Sequence, residues 1–252
     1  MKHIALLFVL FTMLSSLSAY QDSYYSLATP TQLFKGEGEV NLVHRFYGEV
    51  AKDPLDTFFG MDDGANVMIG FRYVVVNATE LKASYIRNGK EMNLGLGRRL
   101  TPDSFPLQAQ LDINYLSFKP VSVNDRRANL SYILALQTGK IHPVLNLNCN
   151  LGYDGYYERF VNGLGLQFNI KESLHLVGEY YPVWDRNSAK EAVKKHLSDN
   201  DVFAFGIKAD TYGHHFMFQL SNGSRMNPCG QSRGTDNNKL HLGFNIQRRF
   251  GE

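Results

Sequence analysis

The chain has 252 residues, of which 44% are hydrophobic and 20% charged. This composition indicates one folded domain, or at most two small ones, and excludes a disordered or collagen-like chain. Its 17 Phe, 14 Tyr and 22 Gly suit pleated strands and tight turns better than long helices, so an all-β fold is expected. The net charge of +2 is small and its charges are interspersed, which excludes the electrostatic footprint of a nucleic-acid-binding protein.

The first 19 residues are typical of a secretory signal peptide. Lys2 and His3 are followed by an apolar run from Ile4 to Leu14 and then by small residues up to Ala19. The alternative is an N-terminal membrane anchor, but the apolar run is about half of the roughly 20 residues needed to cross a bilayer. We therefore predict cleavage near Ala19 and an exported mature chain.

Beyond this segment, no stretch approaches the length of a transmembrane helix, and alternation with period two recurs from residue 37 onward. In the final predicted strand, for example, Leu240, Leu242, Phe244 and Ile246 share one face, and polar or small residues share the other. This pattern predicts about twelve strands, within two either way. The cleanest are at 91–99, 107–115, 160–170, 201–210, 213–222 and 239–250, and the weaker ones at 37–47, 64–74, 80–87, 128–138, 142–153 and 174–181.

The connections between the predicted strands alternate in length. The odd-numbered connections are mostly long, as at 48–63, 182–200 and 223–238, and the even-numbered ones are mostly short, as at 171–173 and 211–212. Transmembrane barrels keep short turns on the periplasmic side and long loops outside. The alternation predicts a barrel of the bacterial outer membrane with both termini in the periplasm, and a soluble sandwich has no reason to show it.

A sheet that crosses hydrocarbon must close on itself, because an unpaired backbone N–H or C=O costs several kcal/mol there. We predict an all-β, transmembrane, antiparallel up-and-down barrel over residues 37–252, with residues 20–36 as a periplasmic N-terminal segment. The apolar faces of the strands would contact outer-membrane lipid, and the polar faces would line the interior. In the soluble alternative, a lipocalin-like or jelly-roll protein, the apolar faces would form an inner core.

Two sets of residues follow from this orientation. The residues predicted to line the lumen are Gln108, Gln110, Asp112, Asn114, Asn169, Glu179, Lys208, Gln219, Asn245, Gln247 and Arg249. The aromatic residues predicted to form girdles at the membrane interfaces are Tyr47, Phe71, Tyr73, Tyr153, Tyr180, Tyr181 and Phe250.

Several short motifs follow one another along the chain. They lie at Gly36–Glu39, His44–Phe46, Phe58–Asn66, Val177–Tyr180, Gly213–Phe216, Gln219–Asn222 and Gly243–Phe250. Together they resemble, over nearly the whole mature chain, an uncharacterised Bacteroidetes-type outer-membrane β-barrel family, a domain of unknown function (DUF5777-like). The resemblance implies an outer-membrane barrel without an assigned activity, so it implies no catalytic residues. Cys229 and residues 230–238 depart from the usual last loop of that family.

The final predicted strand carries an aromatic residue, Phe250, close to its end. An alternating last strand with such an aromatic resembles the signal that the barrel assembly machinery binds by edge addition. We therefore predict this machinery as a partner and Phe250 as the assembly signal, with an ordinary final strand as the alternative.

The histidines form no persuasive catalytic constellation. A Gly-x-Ser-x-Gly nucleophile motif is also absent from the sequence. We predict no enzymatic activity, no cofactor and no metal. The groups that come closest to a proton-transfer or metal site, each with a polar turn or a structural lumen pair as its alternative, are His214–His215 with Asp210, His44 with Arg45, and His175 with Glu179.

The two cysteines, Cys149 and Cys229, do not have a metal-site spacing. Export makes a disulfide between them chemically possible. Cys149, however, shares the apolar phase of its strand with Leu147 and Leu151, which favours a position facing lipid.

Three functions of different class fit the sequence. The first, which the sequence favours over the other two, is a passive channel or transporter for small polar solutes, since about twelve strands enclose more room than eight. The second is a structural or ligand-binding barrel with a plugged lumen, in which the same polar groups pair across the interior. The third, a surface enzyme, is disfavoured by the missing catalytic constellation.

Overall fold

The computed structural model describes residues 24–102, 104–119, 126–138, 142, 144–155, 157–184, 198 and 200–251, and the predicted signal peptide lies outside them. Twelve strands lie in this part of the chain. They are β1 (Gly38–Phe46), β2 (Ala65–Val76), β3 (Thr79–Ile86), β4 (Glu91–Arg99), β5 (Gln108–Phe118), β6 (Arg127–Gln137), β7 (Leu145–Asp154), β8 (Arg159–Lys171), β9 (Leu174–Tyr181), β10 (Val202–Thr211), β11 (His214–Ser221) and β12 (His241–Phe250).

The strands form one closed antiparallel barrel. Each strand pairs with its neighbours in sequence, and β1 pairs with both β2 and β12, which closes the cylinder. A short 3-10 helix at Asn88–Lys90 and a single-turn helix α1 (Pro228–Gln231) lie in the connections. The predicted all-β transmembrane-type architecture and its twelve strands are thereby confirmed, and the observed strand ends fall within a few residues of the predicted ones.

The outer surface of the barrel is a continuous apolar band. In β4, for example, Met92, Leu94 and Leu96 point outward with about half of their surface exposed, whereas Asn93 and Gly95 point inward. Such a band of exposed leucine and phenylalanine requires apolar surroundings. The soluble alternative is therefore wrong, because it would have turned these side chains into an inner core.

The connections differ between the two ends of the barrel. At one end, residues 77–78, 172–173 and 212–213 join consecutive strands as tight turns, and the chain enters β1 and leaves β12 there. At the other end lie the longest connections, including residues 47–64 and 222–240. We call these the turn end and the loop end.

One predicted girdle residue faces the other way. Tyr181 is 1% exposed and lies inside the barrel, whereas its neighbour Tyr180 lies on the outer surface. Successive residues of a strand point to opposite faces, so only one of the two tyrosines can reach the membrane interface. The prediction of Tyr181 as a girdle residue is therefore wrong.

Within the described residues, no helix is both long enough and apolar enough to span a bilayer.

The outward position of the leucines predicts a position-specific effect of charge. Leu94→Arg places a charge near the middle of β4, on the lipid face, and should lower the free energy of unfolding by about 2–4 kcal/mol. Leu55→Arg, at the 86% exposed tip of the connection between β1 and β2, should have little effect. Urea unfolding in lipid vesicles, together with the migration of boiled and unboiled samples on a gel, measures both. Equal stability of the two variants would place Leu94 outside the hydrocarbon.

Candidate functional site: a lumen filled by the chain itself

The N-terminal segment does not lie beside the barrel. Residues 24–33, the plug segment, lie inside it, where most of their side chains are buried. The chain reaches the turn end at Phe34, which is exposed, and enters β1 from there. The sequence assigned residues 20–36 to the periplasm, and for residues 24–33 this assignment differs from the structure because the polar lumen wall supplies partners for their backbone.

The backbone of the plug segment is hydrogen-bonded to side chains of the wall. The N–H groups of Ser26 and Leu27 donate to the Glu179 carboxylate of β9, at 2.9 and 3.2 Å. Ala28 N donates to Asn150 Oδ1 of β7 at 2.7 Å, and Thr31 N donates to Gln110 Oε1 of β5 at 2.8 Å. Buried backbone groups outside regular structure need such partners. Three strands of the wall therefore hold an otherwise irregular segment in one position.

A second set of contacts holds Tyr25. Its carbonyl oxygen accepts hydrogen bonds from Arg45 NH2 at 3.1 Å and from Asn245 Nδ2 at 3.0 Å. Its hydroxyl donates to the carbonyl oxygen of Phe218 at 3.2 Å. Arg45 is fully buried, and it also donates to Asn245 Oδ1 at 2.7 Å. The residue is thus held between β1, β11 and β12.

The inner face of β8 makes room for the plug segment. Gly163 and Gly165 point into the lumen, and a Cβ atom on Gly165 would lie 2.5 Å from both the Tyr24 ring and the Leu27 side chain. The glycines of this strand therefore allow a close approach that any side chain would block. The alternating glycines of β8 are visible in the sequence as room in the lumen, but the segment that fills this room is not.

The connection between β11 and β12, residues 222–240, also folds into the barrel, from the loop end; we call it the last loop. Its helix α1 begins after Asn227, whose side chain accepts from Gly230 N at 2.7 Å. Gln231 Nε2 donates to Ser26 Oγ at 3.1 Å, which joins the last loop to the plug segment. The two segments enter from opposite ends and meet inside the barrel.

An arginine anchors the last loop. Arg233 donates to Asp154 Oδ2 at 3.4 Å, and its guanidinium carbon lies 4.0 Å from the centre of the Tyr157 ring. This loop is the one whose sequence departs from the usual pattern of the resembled family. Its residues pair with the wall of the lumen, which gives the departure a structural role in this chain.

The residues predicted to line the lumen all occupy inward-facing positions of their strands. Gln110, Glu179 and Asn245 contact the plug segment directly. Lys208 and Asn169 lie in a separate polar cluster near the turn end, bridged by Gln167. Asn169 and Arg249 are partly exposed, and the other predicted lumen residues are buried. The buried ones are Gln108, Gln110, Asp112, Asn114, Glu179, Lys208, Gln219, Asn245 and Gln247.

Two histidines share one aspartate. Asp210 Oδ2 lies 2.9 Å from His175 Nε2, and Asp210 Oδ1 lies 2.6 Å from His215 Nδ1. His175 Nδ1 lies 2.7 Å from Asn169 Oδ1. The expected pair of His175 with Glu179 does not form, because Glu179 binds the plug segment. Both oxygens of Asp210 are engaged, which favours a structural role for this cluster.

The other histidine candidate is divided by the barrel wall. His44 points outward and stacks on Phe244 with ring centres 4.5 Å apart, whereas Arg45 points inward to Tyr25. Across the part of the chain that the structure describes, no group of three or more His, Cys, Asp or Glu is arranged to hold a metal ion.

Both cysteines are free, and the barrel wall separates their side chains. Cys149 is in the outward phase of β7, and Cys229 lies in α1 inside the barrel. Burial raises the pKa of the Cys229 thiol to about 12. The disulfide that export would allow is therefore absent.

The chain is similar to a family of membrane proteins. Residues 143–250 match the model of a family described as a membrane bound beta barrel domain (DUF5777). The match extends over the strands from β7 to β12 and confirms the predicted resemblance for this part of the chain. No curated protein matches the chain.

Three solved barrels are similar in structure. The outer membrane protein Omp33 of Acinetobacter baumannii is 11% identical, with 87% of this chain and 100% of that chain covered and a TM-score of 0.44. Outer membrane phospholipase A from Escherichia coli is 10% identical, with 92% and 95% covered and a TM-score of 0.45. A mutant porin of Rh. blastica is 12% identical, with 73% and 55% covered and a TM-score of 0.37, so the chain spans about half the length of that porin.

Glu179→Leu should loosen the plug segment. The change removes the acceptor of two buried N–H groups, and leaving such groups unsatisfied costs about 1–3 kcal/mol each. We expect hydrogen exchange in a peptide covering residues 24–33 to become at least about tenfold faster, as measured by mass spectrometry. Gln108→Leu is the control, since its amide nitrogen donates to Pro102 and Phe105 rather than to the plug segment. An unchanged rate of hydrogen exchange in Glu179→Leu would show that the Glu179 carboxylate does not hold the plug segment in place.

Cys229 should resist alkylation while the barrel is folded. Its thiol is buried, and its raised pKa keeps it protonated at neutral pH, so the reactive thiolate is scarce. In a Cys149→Ser background, we expect maleimide to modify Cys229 only after the protein is boiled in denaturant, as read from the mass shift. Rapid modification of the folded protein would show that α1 does not remain inside the barrel.

Proposed function

We propose that this membrane-bound β-barrel resides in the bacterial outer membrane, with the start of β1 and the end of β12 on the periplasmic side, and that its own chain closes its lumen. In this proposal it is a plugged, ligand-binding barrel rather than an open diffusion channel. The observation that carries the proposal is the plug segment, which lies inside the barrel and contacts the last loop at Ser26 and Gln231.

The proposed location follows from the outer surface and the two ends of the barrel. An apolar band around a closed sheet suits the outer membrane, where barrels of this kind place short turns in the periplasm. The turn end, where β1 begins and β12 ends, would then face the periplasm. Outer-membrane lipid would contact the apolar band.

Assembly into that membrane would use the last strand. Phe250 points outward from β12 and packs on Phe71 of β2, with ring centres 5.7 Å apart. Before the barrel closes, the edge of β12 that later pairs with β1 is free to bind another strand. We propose that the barrel assembly machinery binds this edge and that Phe250 contributes to its recognition.

The pairing of charged groups along the inner wall supports a closed lumen rather than a channel for passive diffusion of solutes. In an open channel, the charged groups of the wall would face water. Here Arg72 lies 2.8 Å from Glu80, and Lys82 lies 2.7 Å from Asp112, so these groups pair along the wall. Together with the plug segment and the last loop, such pairs leave few charged groups of the wall free to contact a solute that passes through the lumen.

The enzyme hypothesis gains nothing from the histidines. The hydrogen bonds of His175 go to Asp210 and Asn169, and neither of these side chains is a hydroxyl or thiol nucleophile.

Removal of the plug segment should open the barrel. We expect the wild type to be silent in planar bilayers at most times, and a variant lacking residues 24–33 to show stable conductance steps, because a lumen of twelve strands is wide enough for water once emptied. Steady conductance of the wild type at the level of the deletion variant would overturn the proposal.

A second variant displaces the plug segment without deleting it. Gly165→Val puts a side chain where Tyr24 and Leu27 now pack, and it should also produce conductance. Gly178→Val is the matched control. Gly178 lies on the outer face of β9, the strand next to β8, and a Cβ atom there would meet only Ala204 O, at 3.9 Å. We expect this control to stay silent.

A further inference from the structure

The plug segment leaves part of the lumen empty. It packs against the half of the barrel that contains β8 and β9, and a cavity of about 180 Å³ lies on its other side. Residues 24–29 of the plug segment form one wall of this cavity, and the inner faces of β12 and β1 to β6 form the other. Met226 and Cys229 of the last loop line it from the loop end.

A row of uncharged polar side chains crosses the cavity wall. Gln247, Asn41, Gly70, Ser84 and Asn93 lie side by side on five neighbouring strands, each paired with the next in the sheet register. All five line the cavity. The row offers amide and hydroxyl groups at both sides, with an open space at Gly70 in its centre.

Three oxygen atoms of this row have no hydrogen-bond partner among the described residues. They are Asn41 Oδ1, Asn93 Oδ1 and Gln247 Oε1. Gln247 as a whole is only 5% exposed. Buried acceptors in folded proteins are nearly always matched by a donor. The same side chains line the cavity, so a rotation of each would turn its oxygen atom toward the donors of a molecule bound there.

The charges of the residues that line the cavity cancel. Its charged lining residues are Glu39, Asp112, Arg72 and Lys82, which sum to zero at neutral pH. Arg72 and Lys82 are further held by Glu80, at 2.8 and 3.1 Å. A charged molecule would lose its hydration without gaining an uncompensated opposite charge. The cavity therefore favours a neutral occupant.

The end of the cavity nearer the last loop is apolar. Met68, Leu116, Ile133 and Met226 line it there. An occupant must therefore combine several hydroxyl donors with a face of C–H groups. Side-chain amides both donate and accept, which suits hydroxyl groups in either direction.

We propose that the lumen cavity binds a neutral polyhydroxylated molecule about the size of a monosaccharide. The amide row contacts its hydroxyl groups, and the methionine and leucine side chains contact its apolar face. This inference rests on the proposed function in one respect, since the seated plug segment supplies a wall of the site.

The test fills the cavity. A Cβ atom on Gly70 would meet its nearest neighbour, Asn41 Cβ, at 3.6 Å, so the position accepts a side chain, and a longer one extends into the cavity. Equilibrium dialysis of the full mature protein in detergent, with radiolabelled D-glucose, D-galactose and myo-inositol in turn, should show saturable binding of at least one of them at one site. Gly70→Leu should weaken that binding by about tenfold or more, because it occupies the same space.

Matched variants separate this effect from general damage. Gly178→Leu, the same change on the lipid face, should bind as the wild type does. Asn93→Leu keeps the size of the side chain but removes one acceptor, and it should weaken binding by about two- to tenfold. It also keeps the inference testable if Gly70→Leu does not fold.

Two results would overturn the inference. One is that the wild type binds none of the three probes. The other is that Gly70→Leu and Asn93→Leu both bind like the wild type, which would place the molecule outside the cavity. Conductance of the same preparation distinguishes this failure from failure of the proposed function. A barrel that neither conducts nor binds a probe would contradict only the inference. A barrel that conducts, and whose binding is still weakened by Asn93→Leu, would contradict only the proposal that the lumen is closed.

Discussion

Backbone hydrogen bonding in hydrocarbon is the constraint on which the rest of this molecule depends. A sheet with a free edge would leave a row of N–H and C=O groups without water, so β1 must pair with β12. Once the cylinder is closed, the alternation of side chains along each strand divides the chain into an apolar outer surface and a polar inner one. Every feature of the lumen is a consequence of that division.

A closed polar interior creates a second requirement. Side chains such as Glu179 and Gln110 are buried in a narrow space, where an unsatisfied charge or amide is costly. The chain meets this requirement with its own backbone, because the plug segment presents N–H groups to both residues. An irregular segment with unpaired amides and a wall with unpaired acceptors thus stabilise each other.

The same reasoning explains why the plug segment leans to one side. The inward glycines of β8 allow Tyr24 and Leu27 to approach the wall closely, and the carboxylate of Glu179 lies on the next strand. On the opposite side, arginine, lysine and carboxylate side chains pair along the wall and need no plug. Two residues along the same strands from Arg72 and Lys82 lies the amide row around Gly70. Its three oxygen atoms find no donor among the described residues, and this difference makes the cavity a candidate site.

The sequence alone determined the architecture, because the barrel depends on local periodicity. The alternation of apolar and polar residues in segments such as 91–99 predicted the strands and their apolar outer faces. It also predicted the inward positions of residues such as Asp112 and Asn245. Connection lengths predicted which ends of the strands lie together. These features repeat along the chain, and each can be recognised from about ten neighbouring residues.

Only the tertiary structure decided what fills the lumen. The bond from Ser26 to Glu179 joins residues 153 positions apart, and the bond from Gln231 to Ser26 joins residues 205 positions apart. The sequence linked His175 to Glu179 because both share a strand face, but each found a partner on a distant segment instead. No periodic pattern encodes such pairs, because they depend on which irregular segment enters the closed cylinder and which buried groups still lack a partner there.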